Sequence, residues 1–569
     1  MQQLQGMDSS FVAMESPNSP MHIGSVLIYN PETAPGGFVR FKDILDFFRS
    51  RMQLSKTMRQ RLVRVPFDLD YPYWIEDPDF DLEYHVRHVA LPKPGDWRQL
   101  CIQAARVHAR PLDLNRPPWE FTVVEGLDAV EGYPPGCFAF VTKVHHAAID
   151  GMSGIDLMEA LHTLAPNTPP PNKPDTWKPE KIPGPVELLG KSYINSLLNP
   201  LRQAQVAAQS IPGVASAIKG LIAREFKITS DMVPPRTRFN RTISPHRVVE
   251  GRTFDLKEFK SIRALVPEAK VNDVAIAVIG GALNKYLTAK DDLPKSTMTA
   301  MAPISVRADG EKGNMGNQVS AMVAPLGTHL ADPAERLAYV YNQTSNSKAM
   351  TNAIGARTMT EVSKVNPLLY MALGAQLFSR VSLAHRAMPF NTVVTNVPGP
   401  PVHIYSSSAR LESMALSLIC LTDGLGLAHV VQSYVDEAYI SFTACRDIMP
   451  DPQFYSECLQ ESFEDLLAAA KAVASQAPAA AAAKPAAMPA AKPPVKPAAK
   501  PATKAPAKKP AAKKAGAAKT TATKPARKGS TASTQARPAK MASAKTAPAK
   551  TAKRRPAKAS AARITEESK

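Results

Sequence analysis

The chain has 569 residues, 44% of them hydrophobic, which supplies a substantial buried core and makes a multi-lobed soluble enzyme the default. Its formal charge of +19 suggests a polyanion binder until it is located: 23 of the 69 Lys and Arg residues, against two acids, follow Ser475, leaving residues 1–475 near −2. The basicity belongs to a tail.

Five cysteines (Cys101, Cys137, Cys420, Cys445, Cys458) are scattered, with neither a disulfide framework nor metal-ligand spacing, which fits a reducing, cytosolic setting. The opening MQQLQGMDSS lacks a secretory signal, and no stretch approaches the roughly 20 uninterrupted apolar residues that span a bilayer. Any membrane contact is therefore expected to be peripheral.

Residues 1–164 mix both periodicities: Phe41, Ile44, Leu45, Phe48 and Met52 recur at helical spacing, and Ser25 to Tyr29 reads as a strand. This is expected to be one α/β lobe. The connector 165–247 opens with APNTPPPNKPDTWKPEKIPGP, in which proline removes donors and fixes φ, so it is expected on the surface without helix or sheet. Val186 to Phe226 then returns to helical composition, broken by Pro200 and Pro212, and reads as helices that bridge lobes, lie on lipid or pack on their own protein. A second lobe is expected over 248–475, from a strand up to Phe254 and a helix carrying Leu256, Phe259, Ile262 and Leu265. Residues 476–569 contain Ala, Lys, Pro and Thr without Phe, Tyr or Trp, and are expected to be disordered.

Residues 143–154 read KVHHAAIDGMSG, containing HHxxxDG as His145, His146, Ala147, Ala148, Ile149, Asp150 and Gly151. A strand from Cys137 to Val144, and Ser153 capping a helix through Ile155, Leu157, Met158 and Leu161, would place the motif on a strand-to-helix loop. Strand alternation sends adjacent histidines to opposite sides, so one serves as base and the other as structure. Imidazole, with an unperturbed pKa of about 6.5, can take a proton from an alcohol and return it to a departing thiolate. Asp150 is expected to brace the loop, and Gly151 to relieve backbone crowding. Zinc is disfavoured because adjacent histidines diverge and no HExxH occurs; without GxSxG or a partnered nucleophile, direct transfer fits better than an acyl-enzyme.

With HHAAIDG, the segments MDSSFVAMESPNSPMHIGSV from Met7, RPLDLNRPPWEF from Arg110, VNDVAIA from Val271, PISVR from Pro303, GNQVS from Gly316 and TNVPGP from Thr395 fall in order along the chain. Over nearly all of residues 1–470 the sequence resembles the bacterial wax ester synthase/acyl-CoA:diacylglycerol acyltransferase family. The resemblance implies an α/β fold of two chloramphenicol-acetyltransferase-like lobes, followed here by the basic tail, with a tunnel where acyl-CoA and a lipid alcohol meet at the second histidine, His146. It implies no cofactor, acyl-CoA being a substrate. Asn272 and Asp273 match the family's Asn-Asp pair, implying site shaping or an oxyanion contact; a helix cap at Asn272, before a helix Asp273 to Leu283, is the competing reading. Asn396 is the third such candidate, read with Pro398 and Gly399 as an ordered turn at the tunnel's second-lobe end. One departure is Pro118, which stands where relatives commonly carry leucine before Trp119.

The function implied is transfer of a long-chain acyl group from CoA to diacylglycerol, with long-chain alcohols as secondary acceptors giving wax esters. A carrier-protein-dependent condensation enzyme shares HHxxxDG but not the other landmarks. In a different class stands a tether for lipid inclusions, whose tail binds nucleic acid or anionic membrane. Basicity without aromatics gives nonspecific, salt-sensitive attraction to nucleic acid or anionic lipid alike, or simply solubility. The expected location is cytoplasmic, at the inner membrane face or on lipid inclusions.

Overall fold

The computed structural model describes residues 1–4, 6–149, 158–197, 230–305, 319–354 and 388–482, all within one unit of the chain, Met1–Ala486. The strands in chain order are β1 (Gln2–Gln3), β2 (His22–Asn30), β3 (Gln60–Val63), β4 (Tyr73–Glu76), β5 (Val86–Ala90), β6 (Trp119–Glu125), β7 (Phe138–His145), β8 (Arg247–Asp255), β9 (Thr299–Ser305), β10 (Val319–Pro325), β11 (Thr392–Pro398), β12 (Tyr405–Ser406), β13 (Ala409–Leu418), β14 (Leu427–Tyr434) and β15 (Glu437–Cys445). They form two six-stranded sheets, β12-β13-β2-β7-β6-β5 and β10-β9-β11-β14-β15-β8, and a small sheet β1-β4-β3.

In the first sheet β7 is central, and every residue from Phe138 to His145 is buried. Its period-2 alternation divides two cores. Phe138, Phe140 and Val144 pack with Phe48, Phe121 and Tyr29 on one face. Ala139 and Val141 pack on the other, against Leu100, Ala104 and Val107 of the helix Trp97–His108. The expected strand at Ser25 to Tyr29 lies in β2, and the helical spacing from Phe41 forms the helix Phe41–Arg49.

The second sheet is built on the helix Val271–Ala289, which is apolar around most of its circumference and buried from Asp273 to Leu283. A helix without a polar face needs cover on all sides. The sheet and the helices Pro333–Ile354 and Pro452–Ala482 supply it.

Residues 248–475 do not stay with one sheet: β12 and β13 cross over, and β13 pairs antiparallel with β2. Polar side chains of the second sheet meet the other edge of this crossing strand, with Ser441 Oγ accepting from Ser417 N–H at 3.1 Å and Ser417 Oγ donating to Gln432 Oε1 at 2.6 Å. Backbone groups that no strand pairs are thus bonded to hydroxyls inside the protein.

The composition change after Ala474 does not end regular structure, because the helix Pro452–Ala482 runs through it. Alanine is the strongest helix former, so a low-complexity Ala run extends a docked helix although it can build no core. The tail beyond Ala482, to which the expectation of disorder mainly applied, lies outside the described residues. No helix among the described residues is long and apolar enough to cross a membrane.

Candidate active site

The sheet register delivers the histidine pair. β7 and β2 pair with His22 opposite His145. Beyond that rung His145 N–H donates to Pro118 O and His146 N–H to Met21 O, both at 2.8 Å, and the chain then tightens into a single turn of 3-10 helix, His146–Ala148. Pro118 therefore keeps its structural contact despite the departure noted above, since the acceptor is its carbonyl and not its side chain.

The two histidines part at this point. His145 is fully buried on the Lys143 side of the sheet, and its Nδ1 accepts the N–H of Ala147 at 3.1 Å, capping the turn. The neutral ring then carries its proton on Nε2, which lies 3.6 Å from Glu15 Oε2; Glu15 Oε1 accepts Met21 N–H at 3.3 Å. His146 is stacked under Phe11 of the helix Gly6–Met14, ring centroids 3.8 Å apart and planes 11° from parallel. Burial, with a smaller contribution from the neighbouring His145 and only partly offset by a backbone contact, lowers the His146 pKa to about 4. At neutral pH the ring is uncharged. Its Nδ1 is buried with no hydrogen-bond partner among the described residues.

Lys143 holds the strand end from below. Its ammonium is 1% exposed and donates to the carbonyls of Val107 and Arg110 at 3.2 and 3.1 Å, where the helix Trp97–His108 ends, with Glu120 Oε1 at 3.4 Å. A cation there complements the negative end of the helix dipole. Burial pulls the Lys143 pKa down while Glu120 opposes the shift.

The other candidates are placed differently. Asp150 and Gly151 lie outside the described residues, as does most of the helix expected to follow them. Asn272 is not a helix cap, because the helix begins at Val271 with Lys270 before it; Asn272 sits partly buried in the first turn. Asp273, 1% exposed, accepts Lys270 N–H and Thr344 Oγ, each at 2.8 Å, with Lys348 Nζ at 3.8 Å. Its carboxylate joins two helices.

The turn expected at Asn396, Pro398 and Gly399 is a correction: Asn396 and Pro398 belong to β11, which pairs in parallel with β14 through Pro398↔Ser433. On its other side β11 meets β9 only at Thr392 and Val393, so the missing Pro398 N–H costs no ladder bond there. Asn396 is exposed, and among the described residues no hydrogen bond joins Asn272, Asp273 or Asn396 to either histidine. Gly399 continues the ladder, donating to Ser433 O at 2.9 Å, and a Cβ there would lie 2.2 Å from that oxygen, so close approach demands glycine.

Phe11 and Glu15 were not singled out as site residues, although the opening motif containing them was. A cavity of about 1240 Å³ opens elsewhere, between the helix Trp97–His108, β8 and the start of the last helix. None of the candidate residues lines it, and its buried carboxylate, Glu250, is taken by Trp97 Nε1 at 2.6 Å. Among the described residues no group of three or more His, Cys, Asp or Glu is arranged to hold a metal ion.

Paired six-stranded sheets joined by a crossover strand, with a histidine pair at the end of a central strand, define an acyltransferase of the two-lobed, chloramphenicol-acetyltransferase-like class. The profile of the wax ester synthase/diacylglycerol acyltransferase catalytic domain matches residues 4–275, and that of the family's C-terminal domain residues 315–467. A Mycobacterium tuberculosis protein provisionally named a diacylglycerol O-acyltransferase is 31% identical over 480 residues, covering 83% of this chain and all of the relative. The O-acyltransferase WSD of Acinetobacter baylyi is 29% identical over 477 residues, covering 82% of this chain and 98% of its own. The solved wax ester synthase/diacylglycerol acyltransferase of Marinobacter aquaeolei superposes with a TM-score of 0.59 at 25% identity, over 83% of this chain and all of that one. The chain belongs to the wax ester synthase/diacylglycerol acyltransferase family and is an O-acyltransferase.

Proposed function

We propose that the chain transfers a long-chain acyl group from acyl-CoA to diacylglycerol, forming triacylglycerol, and to long-chain alcohols as secondary acceptors, with His146 as general base. The observation that carries the assignment is the pair of environments at the end of β7: one imidazole is consumed by the turn, and the other is uncharged and stacked on Phe11.

Nδ1 of His146 is buried without a partner among the described residues, and we assign the proton exchange to Nε2. The acceptor hydroxyl donates to Nε2 and attacks the thioester carbonyl as its proton passes to the ring. The tetrahedral intermediate collapses by breaking the C–S bond, and the imidazolium returns the proton to the thiolate sulfur. The transfer balances with the proton alone. A base with a pKa near 4 takes the proton only as the O–C bond forms, which suits a concerted step better than prior formation of an alkoxide. Asp150 is assigned to bracing the loop after the turn, and Gly151 to relieving backbone crowding there. Asn272 and Asn396 are kept as candidates for the oxyanion or the acceptor entrance, whereas the paired carboxylate of Asp273 favours a structural role.

The lipid acceptor is insoluble in water, and we place the enzyme at the inner face of the membrane or on lipid inclusions, in peripheral contact. The competing tether reading rests on the basic tail. Release of CoA from palmitoyl-CoA with dioleoylglycerol or hexadecanol, by the full chain and by a chain ending at Ala482, separates the two. Enzyme function predicts turnover on detergent-dispersed acceptor by both proteins, faster with dioleoylglycerol. No CoA release by either protein with either acceptor would favour the tether.

A further inference from the structure

The helix over residues 185–197 docks by one face and, among the described residues, leaves an apolar stripe on the opposite face uncovered. Leu188 and Ser192 are 3% and 4% exposed; Leu188 packs on Val65 and Tyr73 beside the small sheet. Asn195 Nδ2 donates to Asp70 Oδ2 at 2.7 Å and to Tyr73 Oη at 3.3 Å. At about 100° per residue, Val186, Tyr193, Ile194 and Leu197 fall on the opposite side in a stripe about 100° wide. They are 84%, 68%, 60% and 62% exposed. An apolar stripe turned outward on a helix already docked by its other side is not explained by packing among the described residues.

We infer that this outward face is a lipid-docking surface that seats the enzyme on an anionic membrane or inclusion. The inference rests on the lipid-acceptor reading above and deepens it by naming the surface. Charge argues for lipid over protein. From Lys173 to Leu197 each carboxylate has a partner: Asp175 pairs with Arg59, Glu180 with the N-terminal amine and Glu187 with Lys191. Lys173, Lys178 and Lys181 are exposed and form no ion pair among the described residues. The stretch therefore presents uncompensated positive charge beside an apolar stripe with an aromatic ring, Tyr193, the composition of an interfacial helix. A protein reaching an insoluble acceptor without a spanning helix among its described residues needs such an element.

The test is flotation of the full chain, and of a Val186→Ser/Ile194→Ser/Leu197→Ser variant, with vesicles of dioleoylphosphatidylcholine and dioleoylglycerol, with and without dioleoylphosphatidylglycerol. Salt at about 0.5 M screens the basic tail, so that apolar insertion is what remains. The expected result is a loss of vesicle partitioning of about tenfold or more in the variant. Hydrogen exchange over 186–197 slows on vesicles in the wild type, and turnover on a short soluble alcohol is equal in both proteins. Unchanged partitioning of the variant overturns the inference. So does an altered oligomeric state with unaltered partitioning, which would assign the face to a second copy, or a lowered melting temperature with unaltered partitioning, which would assign it to residues 198–229. His146→Ala reads the catalytic proposal separately, since it removes transfer while leaving flotation intact.

Discussion

His145 and His146 are chemically identical neighbours that the backbone sends to opposite fates, and the difference is set by who accepts what. Ala147 N–H takes up His145 Nδ1, which fixes the remaining proton on Nε2 and turns it toward Glu15. Glu15 in turn ties to Met21, whose carbonyl holds His146 N–H. Glu15 thus positions the turn that carries the proposed base. Glu15→Ala should lower kcat by about tenfold to a hundredfold with KM little changed, as expected when a catalytic group moves by a fraction of an ångström, and Glu15→Gln should restore most of it. Equal losses in the two variants, or a loss confined to KM, would remove Glu15 from this role. The motif itself was legible because two adjacent histidines with Asp and Gly at fixed offsets are rare by chance. Phe11 and Glu15 were not, since nothing local to them signals that β2 pairing will carry their segment across to a site more than a hundred residues later.

Among the elements, the long periodic ones were readable: β2, the helix from Phe41 and β8 each fall where apolar spacing puts them. Three others were not, each for its own reason. Pro398 and Gly399 have turn chemistry, but parallel pairing with β14 overrides it where β11 has no second neighbour. β13 follows the second lobe in sequence but finds its partner in β2, a long-range pairing that no local pattern announces. The last helix outruns the composition change because alanine favours helix even where it cannot form a core. The close approach at Gly399 gives an element-scale test. Gly399→Ala, whose Cβ would meet Ser433 O, should destabilise the fold by about 1–3 kcal/mol, read as a lower urea midpoint at unchanged m-value. A midpoint equal to the wild type would show that β11 and β14 can separate there without cost.

At the scale of the molecule the charge of the chain and the chemistry of the chain come apart. A net charge of +19 describes its tail, while residues 1–475 are close to neutral and hold every candidate site residue. The two-lobed fold and the family were legible because landmarks fall in order across nearly the whole length, from the opening motif to TNVPGP. What sequence could not supply is environment, and environment separates a base from a structural histidine. The central claim is that His146, uncharged by burial, takes the acceptor's proton. Because burial lowers its pKa, the ring is neutral above about pH 4 and is protonated only below it. The most direct measurement is the rate of CoA release from palmitoyl-CoA and dioleoylglycerol across pH 4–8, for wild type and folded His146→Ala. The account predicts a wild-type kcat/KM that holds from neutral pH down toward an acid limb near pH 4, and a loss on the order of 10²–10⁴ in the variant at every pH above it. A folded His146→Ala protein that releases CoA at the wild-type rate would contradict it.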